Sequence, residues 1–510
     1  QEAHRETDTA DFVERHVVHD DAGCDAKGNE VAKGVELHAE LALRSCEASD
    51  GSVEAIAHRC TDDGIGCQDV IVREAFEDAA LDWLAVKNLN WERRRNLLQR
   101  LQRPDIADLP KLIVEDLKAE HPPVFGSFPI HLQLTLVQLE EILKLNADLL
   151  NQQAFVNAYI TKLQPGADEN WKRDRKLTLA YLERLQAFVD RLAPVHNSLK
   201  AHVLYHRLAF DRAQGTYDAA RFLAYVKLPR HQSYMAKAWN EREDSQRYPA
   251  DLNADFSPVT LLPKNATDEP LVRSFLKQFF IEAASPKAYE DYINDVYLRY
   301  AFAETKIENG LGDAESWASQ LPPELFRQFK DRIDIDFAFT NKTDYAADEV
   351  VKLDLFVKNV PTLLVKVFEI NTRTVYRTTL HEVDTDVNLD GLVANSEKSN
   401  AYSDPPLRRL ARRFEFQELS KPGVYVIDFI GSGKSSRALI RKGKLRPLVT
   451  TGTAGQTVRV VDELNKPVND ATVWLAGVDY KADKDGSITV PFTAQPGPRK
   501  IVISHGDFAC

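Results

Sequence analysis

Hydrophobic positions change period along the chain. From about Val70 to Arg230 they recur at helical spacing. Leu132, Leu136, Leu139, Leu143, Leu150 and the Tyr159/Ile160 pair form one stripe, with Glu140, Lys144 and Asp148 on the other side. A second stripe, Leu177, Tyr181, Leu185, Phe188 and Leu192, stops before Pro194, whose ring cannot continue a helix. The stretch AHVLYHRLAFDRAQGTYDAARFLAYVKLPR predicts a helix–turn–helix punctuated by Gly215 and Pro229. A solenoid would need several such repeats at a fixed period, so an antiparallel helical domain is expected. Further helices are expected around Phe275/Phe279 and around Tyr289, Ile293, Val296 and Tyr300. A short one near Pro323–Phe329 leads into strands.

From Leu353 the period becomes two. Leu353, Leu355 and Val357 alternate with other residues, as do Val365 and Val367 around Lys366, the signature of half-buried strands. Val424–Ile430 and Ser436–Ile440 read as hairpin arms joined by Gly431-Ser432-Gly433-Lys434. TRTVYRTTLHEV also reads as a strand. From about Leu448, short strands separated by Asn-Lys-Pro and Asp-Lys-Asp-Gly turns predict a small prealbumin-like sandwich. The expected fold is multidomain α+β, a helical N-terminal half of antiparallel helices followed by antiparallel β-sandwiches. The expected divisions are 1–68, a cysteine-bearing segment; 69–245, helical; 246–333, a linker and second helical segment; 334–446, a sandwich; and 447–510, a sandwich that is incomplete.

Composition narrows the partners. A net charge of −12 argues against nucleic acid, which needs basic faces to displace counterions. No apolar run reaches the ~20 residues that span a bilayer, so proteins are the expected partners. The first residue, Gln1, fits removal of a signal peptide. Cys24, Cys46, Cys60 and Cys67 crowd one short segment, which predicts two disulfides with three possible pairings. A zinc site is the rival, but no pair there has the usual ligand spacing.

Candidate chemistry is sparse. GSGKSS lacks the P-loop glycine, since Asp428 stands five residues before Gly433, and a strand rather than a helix is expected to follow. Asp386, Asn388, Asp390 and Glu397, with Gly391 at the turn, match a calcium loop: short oxygen ligands at alternate positions converge on one hard cation. Calcium is therefore the one candidate cofactor, and none is established by the sequence. The competing reading is an exposed Asp/Asn-rich β-connection. His202 and His206 stand one helical turn apart but lack a third ligand, and no nucleophile–base motif occurs, so no enzyme is expected.

The segments LLVKVFEINT, EVDTDVNLDGLV and YVIDFIGSGKSSRALIRKG resemble the large bacterial alpha-2-macroglobulin-like proteins. The likeness runs from about Phe125 to Cys510. It implies macroglobulin-type sandwiches and an extracytoplasmic location, secreted, periplasmic or at the cell surface. It also implies a role as the N-terminal part of a protease trap. The alternative is a structural or interaction protein of the cell envelope, with sandwiches as spacers and helices as a docking surface. The family's CxEQ thioester is absent, because Cys46 is followed by Glu-Ala-Ser. The chain is expected to continue past Cys510, or else to use Cys510 as a disulfide or sheet partner for another subunit.

Overall fold

The computed structural model describes residues 91–106, 108–167, 169–265, 267–494, 497 and 499–510. Cys24, Cys46, Cys60 and Cys67 lie outside the described residues. The chain divides into two compact units. One takes the described residues up to Val195 together with Ser257–Leu261, the other His196–Phe256 with Leu262–Cys510. The helical N-terminal half and the antiparallel β-sandwiches after it form a multidomain α+β protein.

The first unit contains α1 (Trp91–Arg100), α2 (Leu109–Leu117), α3 (Leu136–Leu145), α4 (Gln153–Leu163) and α5 (Arg175–Val189). Thr135 explains why the first predicted stripe is broken. Its hydroxyl accepts from the Gln138 amide N–H, and the Gln138 side chain accepts from the Thr135 N–H. This capping box starts α3 at Leu136, leaving Leu132 on the preceding turn and 54% exposed. The second stripe is one helix, α5, started by Asp174, whose carboxylate accepts from the N–H groups of Lys176 and Leu177. Tyr159 of α4 and Phe188 of α5 stack with centroids 3.9 Å apart. The Tyr181 hydroxyl reaches the Thr260 carbonyl at 2.6 Å, which ties Ser257–Leu261 to this unit.

The second unit begins with α6 (Asn197–Ala213), α7 (Ala219–Val226), α8 (Glu269–Glu282), α9 (Asp295–Asn309) and α10 (Pro323–Asp331). Its helical core is aromatic, with Phe222 of α7 stacked on Phe275 of α8 at 5.3 Å. An ion pair is sealed inside it: Arg230 and Asp268 are fully buried and 2.9 Å apart. Tyr225 and Tyr234 donate their hydroxyls to the same carboxylate oxygen at 2.8 and 2.5 Å. Burial raises both phenol pKa values, so they remain donors.

Strands β1 (Asp334–Phe337), β2 (Asp344–Tyr345), β3 (Val351–Lys358), β4 (Thr362–Ile370), β5 (Ser396–Ala401), β6 (Leu410–Phe416), β7 (Gly423–Gly431) and β8 (Lys434–Lys442) make the first sandwich. Its sheets run β1-β3-β6 and β2-β8-β7-β4-β5, antiparallel except where β2 meets β8. Leu353, Leu355 and Val357 of one sheet pack against Leu363, Val365, Val367 and Phe429 of the other. The β7–β8 hairpin turns through Ser432 and Gly433 at φ of 49° and 79°. Two consecutive positive φ values define the tight turn whose twist suits a hairpin.

The second sandwich is built from β9 (Arg446–Gly452), β10 (Gly455–Val461), β11 (Thr472–Leu475), β12 (Val478–Lys481), β13 (Ser487–Val490), β14 (Val502–His505) and β15 (Phe508–Ala509), in sheets β13-β10-β9 and β12-β11-β14-β15.

Two joints hold the first sandwich. On its N-terminal side, buried Glu308 of α9 is clasped by Lys277 at 2.9 Å and Arg332 at 2.5 Å. Arg332 also pairs with Asp334, Arg409 with Asp334 and Asp336, and Lys434 with Asp336. Buried Lys358 of β3 donates to the carbonyls of Phe329, Lys330 and Arg332, satisfying the end of α10. The C-terminal joint is mainly apolar, with the Thr372 hydroxyl accepting from the Ala509 N–H and Arg377 paired with Asp479. There α11 (Thr372–Thr379) lies between β4 and β5, where a strand was expected. Asn371 caps it by accepting from the Thr374 N–H. Tyr376 then packs with Phe368, Val424, Val426 and Leu439, and with Val502 and Ala509 of the second sandwich.

Candidate functional site

The predicted ligands lie on the connection from α11 to β5. Leu380 ends α11 in the left-handed conformation at φ 55°, and the chain then crosses the outer face of the first sandwich. Val383 and Leu389 are buried there, with Val387 and Ala394 partly buried beside them. Polar ties fix the path. Arg441 donates to the Val383 carbonyl at 3.0 Å and Arg437 to the Val387 carbonyl at 3.2 Å. The Asn395 amide N–H reaches the Val367 carbonyl, and its side-chain oxygen accepts from the Glu369 N–H. Between these anchors the backbone turns on local bonds, Asp386 N–H to Asp384 Oδ1 and Asp390 N–H to Asn388 Oδ1. These are the Asx turns that short acidic side chains favour.

Asp386, Asn388 and Asp390 therefore share one loop. Glu397 lies apart on β5, opposite Lys366 of β4 and ion-paired with it at 3.3 Å. Among the described residues no three His, Cys, Asp or Glu side chains are grouped to hold a metal ion. Asp384, Asp386 and Asp390 are exposed and form no ion pair among the described residues; nearby Glu382 is held by Arg441. The loop tip is apolar: Leu392 is 49% and Val393 89% exposed. The sequence signal for this tip is the consecutive apolar pair directly after Gly391, where the preceding Val383, Val387 and Leu389 are each separated by polar residues.

The remaining candidates are structural. His202 and His206 meet edge to face at 4.8 Å, and His206 Nε2 lies 2.8 Å from the Pro263 carbonyl. Burial, then the neighbouring His206, pushes His202 down to about 3. All three GSGKSS serines occupy hairpin positions: Ser432 donates to the Asn359 carbonyl, Ser435 to Asp428 across the hairpin and Ser436 to the Ile335 carbonyl. Among the described residues, no helix is long and apolar enough to cross a membrane.

Comparison with known proteins identifies the relatives. The profile of the actin-binding protein F N-terminal domain matches residues 66–333, and that of the first immunoglobulin-like domain of the same protein matches 363–443. Actin-binding protein F from Dictyostelium discoideum is 32% identical over 413 residues. The match covers 80% of this chain and 17% of that protein's length. Among solved structures, Escherichia coli alpha-2-macroglobulin spanning domains MG0-NIE-MG1 aligns at 10% identity over 35% of this chain and 62% of that chain, with a TM-score of 0.25. The NIE-MG1 fragment aligns at 12% identity over 35% and 95%, with a TM-score of 0.24. At such scores the likeness carries no argument.

These matches overturn the macroglobulin resemblance and what hung on it: the protease-trap role, the inhibitor and bacterial-envelope descriptions, and the extracytoplasmic location. The physical reason is plain. LLVKVFEINT and YVIDFIGSGKSSRALIRKG are β4 and the β7–β8 hairpin. Their alternation and turn residues are what any antiparallel sandwich requires.

Proposed function

The chain belongs to the actin-binding protein F family, and we propose that it is a non-enzymatic interaction protein whose ligand is actin. The observation that carries this reading is the 32% identity extending over 80% of the chain. It runs far beyond any single sandwich motif. The chain supplies elements suited to the role, helices followed by two sandwiches. Rigid sandwiches separate binding surfaces, and connecting loops carry the contacts. Actin as ligand also puts the chain inside the cell, where thiols stay reduced; its five cysteines should then all react with a thiol reagent.

Cosedimentation with purified actin filaments tests the proposal. The chain should pellet saturably with filaments and stay in the supernatant without them. A chain that remains soluble at saturating filament, and that does not slow assembly of monomeric actin, would reject actin as the ligand.

A further inference from the structure

The apolar residues of the connection from α11 to β5 fall into two sets. Val383 and Leu389 are buried against the first sandwich, and Val387 and Ala394 pack beside them. Leu392 and Val393 have no such place. They stand at the tip, 49% and 89% exposed, just after Gly391 at φ 82°. A solitary exposed apolar residue is ordinary. An adjacent pair is different when the loop is anchored on both sides by Arg437, Arg441 and Asn395. Its ordering entropy is already spent, which favours binding by a preformed element. The carboxylates beside it are unmatched by these two arginines, since Asp384, Asp386 and Asp390 are exposed and form no ion pair among the described residues.

We propose that this tip is the chain's contact with actin. Leu392 and Val393 enter an apolar cleft on the filament, and lysine or arginine side chains at the cleft's rim face the three aspartates. The assignment rests on the actin-binding reading above. Buried apolar anchors dominate such interfaces, while rim charges tune association rate and salt dependence.

The test is cosedimentation of the full chain with filamentous actin. Leu392→Ser combined with Val393→Ser should weaken binding by at least about tenfold, the loss of a central anchor. Asp384→Asn, Asp386→Asn and Asp390→Asn together should weaken it about two- to threefold and flatten its dependence on salt. Both side chains of the apolar variant are exposed, so its unfolding temperature should match that of the parent. As a readout that needs no variant, amide exchange at residues 390–394 should slow when filaments are added. A parent chain that pellets, with undiminished binding by the Ser variant and no protection of these amides, would overturn the surface while leaving the actin reading intact. A parent that fails to pellet would overturn both. Concentration-dependent dimerisation abolished by the Ser variant would give the tip to a second copy of this chain, and would also overturn the proposal.

Discussion

The two joints that hold the first sandwich are made of opposite materials. On the α9/α10 side the contact is a chain of charges running Lys277, Glu308, Arg332, Asp334, Arg409, Asp336 and Lys434, with Lys358 plugging the end of α10. On the α11 side it is mainly apolar packing around Phe368, Tyr376, Val426 and Val502, with one buried hydrogen bond from the Ala509 N–H to the Thr372 hydroxyl. Its buried carboxylates, Glu308 and Asp334, must be matched by cations, so the first joint fixes one geometry around them. Apolar contacts are non-directional, so the second loses energy in proportion to what is removed. The family profile for the N-terminal domain ends at residue 333, inside the charged joint. Glu308 and Arg332 fall before that point, Asp334 and Arg409 after it.

Four measurements would break or sharpen this contrast. The largest effect is expected from Glu308→Ala, which leaves Lys277 and Arg332 beside an empty buried site. Denaturant unfolding of the second unit should show a loss of about 3–5 kcal/mol. Next is Leu439→Ala at the apolar joint, expected to cost about 3 kcal/mol. This loss should be the same at low and high salt. A salt-dependent value would mean that the two joints do not differ as described.

Acid should separate them further. Burial acts to raise the Glu308 carboxyl, but the Lys277 and Arg332 charges outweigh it and hold it below its ordinary value of 4.5. A lowered carboxylate contributes in full above pH 4.5, and the contribution is lost as pH falls through the folded value. The stability gap between the parent and Glu308→Gln should therefore be constant from neutrality down to about that pH and shrink below it, while Leu439→Ala keeps its deficit. The smallest effect is expected from Arg377→Ala, which removes a half-exposed pair with Asp479 at the rim of the apolar joint. It should cost less than about 1 kcal/mol.

The joints also divide what was legible in the sequence from what was not. Period alone located α5 and β3, because Leu185, Phe188, Leu353 and Leu355 each face a core within their own domain. The β7–β8 hairpin was visible because its turn needs positive φ, which Gly433 adopts without steric cost. Helix α11 was not visible. Thr, Val and Tyr favour strands, and what overrides them is the Asn371 cap and a surface on the second sandwich far along the chain. The calcium pattern marked a real loop, yet a linear motif carries no information on where Glu397 points. Cross-strand pairing with Lys366 decides that. The charged joint was invisible because Glu308, Arg332 and Arg409 look like solvated helix and loop charges until the fold gathers them. The family was misnamed because the hairpin segments that prompted the name report sheet geometry rather than descent.

Arg230 and Asp268 show how burial constrains the changes open to this sequence. Apolar residues of similar volume at both positions would remove the buried ions, but would leave the Tyr225 and Tyr234 hydroxyls and the carbonyls of Tyr225 and Leu228 without these partners. Neither replacement can come first at low cost. Losing Asp268 strands a guanidinium and the Tyr225 and Tyr234 hydroxyls, while losing Arg230 strands a carboxylate. Each intermediate step would forfeit a few kcal/mol, a large share of the ~5–15 kcal/mol that holds an ordinary domain folded. The pair can persist for want of a passable route away from it, without ever touching a ligand.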